Sequence, residues 1–417
     1  MLSLLCPIVE GEKLHHAFKS VLKLEGNEPG RIMLDEVFSQ YKDVDGNFIE
    51  QFQTTGFDQR IFELYLFAYF RDIGFEIQRE YKNPDFIIKR NSQYIAIEAT
   101  TAGISAKIPI RKYTELSEDQ KRDYLINELP VRIGSSLFSK LKKQYWRLNQ
   151  CQGIPFVIAV ELFYSDDSLS FSSSSLGQYL YGLDQKANYD SKETLHIEIT
   201  PIDKHKIKSK EIPSGFFNQP GAENISAIIF TNSGTFPKFN RMGYYKGYYS
   251  DFIKMIRVGT CYDYDRNASL PRNFSYDLDD TINTPFMETW GQGIEIFYNP
   301  SAKITLERGL FRDAAEHYFE DGKFYSDMPK PFHPFSSQTK IIYSRIDLDL
   351  NKELFIKISS SEFDYLLNKP ERRLAPVKEI SWVRSLDFSV ITCLVVDLID
   401  NDYGYAIYTK EGGVYIF

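Results

Sequence analysis

Two acids interrupt an apolar stretch in NPDFIIKRNSQYIAIEATT, residues 83–101. Asp85 and Glu98 stand where packed strands ordinarily carry Val or Ile. A two-residue loop at Asn91-Ser92 would pair Arg90 with Gln93 and, counting outward, set Asp85 directly opposite Glu98. Alternation along a strand puts Asp85, Ile87 and Lys89 on one face, and Tyr94, Ala96, Glu98 and Thr100 on one face of the partner. The Cβ atoms of the two acids are then expected roughly 5 Å apart. Like charges so placed, among Phe86, Ile97 and Ala99, destabilise a sheet unless a bound cation, a proton or a nearby Arg or Lys compensates. A divalent ion that prefers hard oxygen ligands, Mg²⁺ or Mn²⁺, suits such a pair; the plain alternative is two solvated edge-strand acids. Glu63 adds a third acid, set among Ile61, Phe62, Leu64, Leu66 and Phe67. Its plain alternative is a helix-surface pair with Arg60.

The surrounding pattern says which elements must position these residues. FDQRIFELYLFAYFRDIGF, residues 57–75, reads as a mostly buried helix with Asp58 as N-cap and Gly74 just past its end. FEIQREY, residues 75–81, alternates as a strand, and the acidic hairpin follows. From Ser117 come helical pieces expected to break near Pro130, then IPFVIAVELFY, residues 154–164, an apolar strand of the kind buried on both faces of a sheet. The resulting order is α, β, β, β, α, β. Ahead of it, residues 1–55 carry helix-like apolar stretches and a tight turn at Asp45-Gly46-Asn47, whose glycine sits too early for an EF-hand.

A helix bearing a glutamate, a strand opening Pro-Asp, and a hairpin into an apolar strand ending IEAT, followed by a helix and a buried strand, resemble the PD-(D/E)XK phosphodiesterase superfamily of restriction-endonuclease-like nucleases. The resemblance covers about residues 57–164. Pro84-Asp85 matches the PD pair, Glu98 the (D/E) position and Glu63 the helical glutamate of many members. It implies an α/β class with a mixed αβββαβ core. It further implies a Mg²⁺- or Mn²⁺-dependent nuclease acting on nucleic acid, DNA above all, in a restriction or phage-defence role. Asp85 and Glu98 would be direct metal ligands and Glu63 would serve a second ion or a metal-held water. The family's lysine would fall at residue 100, where this chain has Thr100. Two replacements are open: a lysine from the helix SLFSKLKKQYW, with Lys140 ahead of Lys142 and Lys143, or the metal acting alone with Thr100 as a hydrogen-bonding spacer. The other reading of Thr100 is a nuclease-like fold without catalysis that binds nucleic acid or serves assembly.

Nucleic acid also asks for backbone contacts and stacking platforms. PIDKHKIKSKEIP concentrates Lys204, Lys206, Lys208 and Lys210 in an expected loop, and RMGYYKGYYSDFIKMIR interleaves Tyr245 and Lys246 with Arg241, Arg257, Tyr244, Tyr248 and Tyr249. Lys143 joins the former as a backbone contact; a solvated charge run and an aromatic core are the plainer readings of the two stretches.

At 417 residues the chain exceeds the usual single core. The expected division is a helical extension over 1–56, a nuclease-like core with its basic loop over 57–240, and a β-rich, aromatic-rich region over 241–417. A net charge of −8 argues against a protein coated in nucleic acid, but not against a local basic groove. Aromatic residues at 15% are plentiful, which favours strand-rich packing or surfaces that stack on flat ligands. Cys6, Cys151, Cys261 and Cys393 lie far apart without zinc spacing, so a reduced cytoplasmic setting is expected. No apolar run approaches the ~18 residues of a membrane span, so no membrane partner is expected; a homodimer or partner protein is left open. The six histidines form no HExxH or Cys/His set, and no GxSxG elbow announces a serine hydrolase.

Overall fold

The computed structural model describes residues 3–103, 110–208, 210–248, 253–321, 323–343, 379–384, 390–397, 402–409 and 414–416. The chain forms two compact units, Met1–Ile342 and Tyr343–Phe417. The first opens with α1 (His16–Lys23), α2 (Glu28–Ser39) and α3 (Phe48–Gln53). Asp43 sets the start of α3 by accepting from the N–H groups of Asp45, Gly46 and Phe48, which fixes the turn at Gly46.

The next helix, α4 (Phe57–Asp72), is apolar nearly all round because it lies inside the protein: only its ends reach solvent. Gly56, not Asp58, is its N-cap, and Asp58 sits in the first turn. Gly74 adopts a left-handed φ of 87°, while Gly74 N–H and Phe75 N–H return to the carbonyls of Arg71 and Phe70, the doubly bonded stop expected of a glycine just past a helix. Three strands follow, β1 (Glu76–Gln78), β2 (Phe86–Arg90) and β3 (Gln93–Ala102), then α5 (Glu118–Asp123) and α6 (Leu129–Lys143). A wide π-type turn over Tyr124–Glu128 joins these two helices, and Pro130 falls in the first turn of α6, where its missing N–H costs nothing. The regular α-helix is thus interrupted just ahead of Pro130, as expected, while the helical run continues through it.

The remaining elements of this unit are β4 (Phe156–Leu162), α7 (Ser174–Tyr181), β5 (Leu183–Tyr189), β6 (Leu195–Pro201), β7 (Lys204–Ile207), β8 (Lys210–Pro213), β9 (Ala227–Thr231), α8 (Phe236–Tyr245), β10 (Ile253–Cys261), β11 (Arg272–Asp277), β12 (Ile294–Tyr298), β13 (Ala315–Glu320), β14 (Lys323–Asp327) and β15 (Pro334–Tyr343). The main sheet has the order β1-β2-β3-β4-β9-β12-β13-β14. It is mixed: β3, β4 and β9 run parallel, and β12 turns antiparallel to β9. Every residue of β4, β9 and β12 is buried, as a strand covered on both faces requires. One face packs Ile97, Ala99 and Ala159 under α4, while the other packs Ala96, Ile158 and Val160 under Leu137 and Leu141 of α6 and Leu176 and Leu180 of α7. The protein is thus a mixed α/β fold with a large mixed sheet between helical layers.

The expected boundary at residue 240 falls in the middle of α8. Asn240 donates to the carbonyl of Gly26 and accepts from the N–H of Gly30, binding α8 to α2. A Cβ at Gly30 would come within 2.6 Å of the Phe236 ring, so the glycine is what lets the helices meet. Beyond α8, buried Glu288 gathers Lys238, Arg241 and Arg257, at 2.7, 2.6 and 3.2 Å, which ties α8 to β10. Residues 241–342 therefore belong with the first unit, since buried ions must keep their partners at hand. In the second unit β16 (Glu379–Arg384), β17 (Val390–Asp397), β18 (Asp402–Thr409) and β19 (Val414–Ile416) pair antiparallel in sequence order. Among the described residues no helix is long and apolar enough to cross a membrane.

Candidate metal centre

The hairpin between β2 and β3 turns through Asn91 and Ser92, whose φ values of 49° and 67° are the left-handed pair that a tight two-residue turn demands. Arg90 lies opposite Gln93 and Phe86 opposite Ile97, so the next outward pair is Asp85 and Glu98. One oxygen of Asp85, Oδ2, accepts the N–H of Ala99 at 2.8 Å, which fastens the acid to the start of β2. On its other side Glu98 neighbours Ile158 of parallel β4, and only 3% of its surface is exposed.

Loss of hydration raises the pKa of Asp85 well above the ordinary carboxylate range, and the charges of Glu63 and Glu98 push it further in the same direction. Burial likewise raises Glu98, against the pull of Lys140. Lys140 Nζ lies 2.5 Å from Glu98 Oε1. It arrives there because Ser136, one turn earlier on α6, donates to the carbonyl of Thr101 at 3.4 Å, while Leu137 and Leu141 are buried against the sheet. Burial opposes the charged Lys140 amine, but Glu98 outweighs it and the pKa of Lys140 rises. Thr100 points to the same face as Glu98, 7% exposed, and is too short to reach that carboxylate as a lysine would.

Glu63 stands behind this pair. Its Oε2 accepts from Tyr41 Oη at 3.0 Å and Arg60 Nη1 at 2.7 Å, and its Oε1 from Gln59 Nε2 at 2.9 Å. The pairing with Arg60 is therefore present, but inside the protein and not on a helix surface. Gln59 carries the network to β3 by accepting from Thr101 Oγ1 at 3.3 Å. With both oxygens engaged, Glu63 acts on Asp85 through its charge. Among the described residues no three His, Cys, Asp or Glu side chains are placed to hold one metal ion together. The expected meeting of three carboxylates reduces to a pair, because Tyr41, Arg60 and Gln59 satisfy the third. Of these partners only Gln59, at i−4 from Glu63, and Arg60, at i−3, leave a trace in sequence spacing.

Whether the pair fits a divalent cation turns on its open valences. Glu98 Oε2 is buried and has no hydrogen-bond partner, an acceptor that a hard cation satisfies. Raised carboxyl pKa values point the same way, since a bound cation offsets the loss of hydration that, ahead of the repulsion between the acids, holds them up.

The other expected residues divide. Lys143 is exposed at the end of α6. The basic stretch is a hairpin, β7 and β8, and not a loop: His205 is buried between the carbonyl of Ile126 at 2.7 Å and Ser214 Oγ at 2.8 Å, which leaves Lys204, Lys206 and Lys208 exposed. Lys210 Nζ reaches Ser135 of α6 at 2.7 Å, so hairpin and helix adjoin. Tyr245 and Lys246 have internal partners, Thr281 Oγ1 at 2.7 Å and Glu36 at 2.6 Å, while Arg241 and Arg257 are buried on Glu288. That stretch is an aromatic and ionic core more than an open platform; Tyr249 lies outside the described residues.

A group whose folded pKa is raised, as with Asp85 and Glu98, binds protons more readily in the native than in the unfolded chain. Its contribution to stability therefore falls as pH rises from about 4. Asp85→Asn can still accept the Ala99 N–H and removes the repulsion, so its melting temperature should exceed that of the wild type by more at pH 8 than at pH 4.5. Differential scanning fluorimetry at the two pH values reads this directly, and a difference independent of pH would show that Asp85 titrates normally.

No protein-family model, no curated protein and no solved structure matches this chain.

Proposed function

We propose that this protein is a metal-dependent nuclease that hydrolyses phosphodiester bonds in nucleic acid, with DNA the expected substrate. The observation that carries the reading is the pairing of half-buried Asp85 with buried Glu98, with Lys140 on Glu98, set by a Pro-Asp strand opening and an apolar partner strand. The order α4, β1, β2, β3, α6, β4 around it supports the same reading by resemblance to the PD-(D/E)XK nucleases.

Asp85 and Glu98 would hold Mg²⁺ or Mn²⁺, which supplies Lewis-acid polarisation of the phosphate and a water of lowered pKa. Asp85 is fixed through Oδ2 by the Ala99 N–H. Lys140 places a positive charge beside the carboxylates, where it can steady negative charge developing on the phosphate oxygens and orient the attacking water. Glu63 and its three donors hold the back of the site and discourage Asp85 from turning inward. The exposed lysines of β7–β8 and Lys143 offer contacts to the phosphodiester backbone away from the reacting atoms.

The test is incubation of labelled single- and double-stranded DNA and RNA with Mg²⁺, Mn²⁺ or EDTA, comparing the wild type with Asp85→Asn and Glu98→Gln. Metal-dependent cleavage that both substitutions remove is the expected result; cleavage unchanged in both would reject the assignment, and binding without cleavage under every metal would leave a nucleic-acid-binding module. Substituting Lys143, Lys206 and Lys208 together by Gln should weaken DNA binding and flatten the dependence of log K on log salt by about 2–3, near 0.9 per lost phosphate contact. An unchanged slope by fluorescence anisotropy would move the DNA track off this surface.

A further inference from the structure

A second chain of polar groups crosses the far side of the main sheet. Glu295 on β12 is buried, 2% exposed, and its Oε2 accepts from Ser173 Oγ at 2.6 Å and pairs with His317 Nε2 at 2.8 Å. On the opposite side of the ring, His317 Nδ1 lies 2.9 Å from Ser326 Oγ. Strand register sets this order: parallel β12 and β13 put Phe297 beside His317, and antiparallel β13 and β14 put His317 directly across from Ser326. Phe297 stacks on the imidazole at 4.5 Å and 18°, and Phe324 lies parallel to it at 6.1 Å. The ring is thus held on both faces and at both nitrogens. Of the three residues only Ser326, on the edge strand β14, is exposed.

We propose that Ser326 is a nucleophile activated by His317 and Glu295, able to take an acyl group from a small carboxylic ester that reaches it from solvent. A carboxylate on one imidazole nitrogen places the ring N–H there and leaves the lone pair of the other nitrogen for the serine hydroxyl. Burial works against the charge of Glu295, but the bonds from His317 and Ser173 more than offset it and keep the group ionised. His333, buried next to both with its pKa pushed down to about 4 by burial, is neutral near pH 7 and leaves Glu295 to His317.

Ser326 Oγ attacks the ester carbonyl carbon while its proton passes to His317 Nδ1, and the imidazolium so formed faces the Glu295 carboxylate. Collapse of the tetrahedral adduct breaks the carbon–oxygen bond to the leaving alcohol, which takes the proton from Nδ1, and the acyl group stays on Ser326. Water, deprotonated in turn by His317, releases the carboxylic acid and restores the serine. No oxidant, metal or further reactant enters, so the activity stands apart from the Asp85–Glu98 pair.

The test uses the full chain with p-nitrophenyl acetate and a fluorophosphonate probe, the adduct being located by peptide mass spectrometry. Ser326 should be labelled at least ten times faster than Ser174, an exposed serine on α7, with His317→Gln lowering the rate at least tenfold and Ser326→Ala abolishing it. Because His317 is buried and its variant can fail to fold, Ser326→Cys supplies a second reading at an exposed position. The thiol introduced by Ser326→Cys should react with iodoacetamide at pH 7 at least ten times faster than exposed Cys6. Labelling of Ser326 no faster than of Ser174, labelling untouched by a folded His317→Gln, or a thiol in the Ser326→Cys variant no more reactive than that of Cys6 would each overturn the proposal.

Discussion

Asp85→Asn and Glu98→Gln should each lower metal-dependent cleavage by at least ~10³-fold, since a lost metal ligand removes several kcal/mol of transition-state stabilisation and each 1.36 kcal/mol is a factor of ten. The substitutions are nearly isosteric and keep the local hydrogen bonds, which separates charge from packing. Asp85→Asn still accepts the N–H of Ala99, now 2.8 Å from Oδ2, and Glu98→Gln still offers an oxygen toward Lys140. For Asp85→Asn the melting temperature at neutral pH should therefore hold or rise as cleavage disappears, the reverse of what a structural carboxylate would give, whereas Glu98→Gln removes the counter-charge of Lys140 and should lower it modestly. Metal should stabilise only the wild type: excess Mg²⁺ raises the melting temperature of a protein that binds it in the folded state, and neither variant should respond. Cleavage within a few-fold of the wild type in both variants would show that the acids are an ordinary structural pair.

How much of the fold and the site is legible in the sequence depends on the range of the interaction. The hairpin register is readable because a two-residue turn and the alternation of side chains fix every pair outward from Asn91-Ser92. The buried strands β4 and β9 are readable as largely apolar runs. Hidden are contacts between residues distant in the chain. Nothing local says that Tyr41 satisfies Glu63, or that Arg241 and Arg257, residue types suited to nucleic-acid contacts, meet at Glu288. The boundary at residue 240 fails for the same reason, since the bonds of Asn240 to α2 span more than two hundred residues. Likewise His317 looks isolated in sequence and acquires Glu295 and Ser326 only when three strands are laid side by side. The helix at Pro130 is ambiguous for a local reason: a proline marks a break or a beginning, and only the preceding turn decides between them.

Lys140 carries the sharpest test because it comes from a different element than the resemblance provides. Lys140→Met should lower cleavage ~10²- to 10³-fold, the scale on which a single charge or donor aimed at a developing oxyanion acts. Lys140→Arg should retain more activity than Lys140→Met but less than wild type, since a planar guanidinium offers the charge with a different reach. Loss of the cation also leaves Glu98 buried with no counter-charge, so the Lys140→Met protein should take up a proton at Glu98 and lose stability as pH rises above about 4. The decisive variant restores the lysine at the position the family pattern would give it. Residue 100 lies two along β3 from Glu98 on the same face and is 7% exposed, so the Thr100→Lys side chain starts beside the carboxylates and can bring its ammonium to the place that Lys140 leaves. In the Lys140→Met background Thr100→Lys should recover at least tenfold of the lost cleavage, whereas in the wild-type background it should add little and cost stability through a second buried cation. Recovery in the double variant would mean that the position of the charge matters and not the helix that delivers it. If Lys140→Met cleaves as the wild type does, or if Thr100→Lys rescues nothing in a protein that remains folded, the lysine serves only to neutralise Glu98 and the chemistry must be sought in the metal alone.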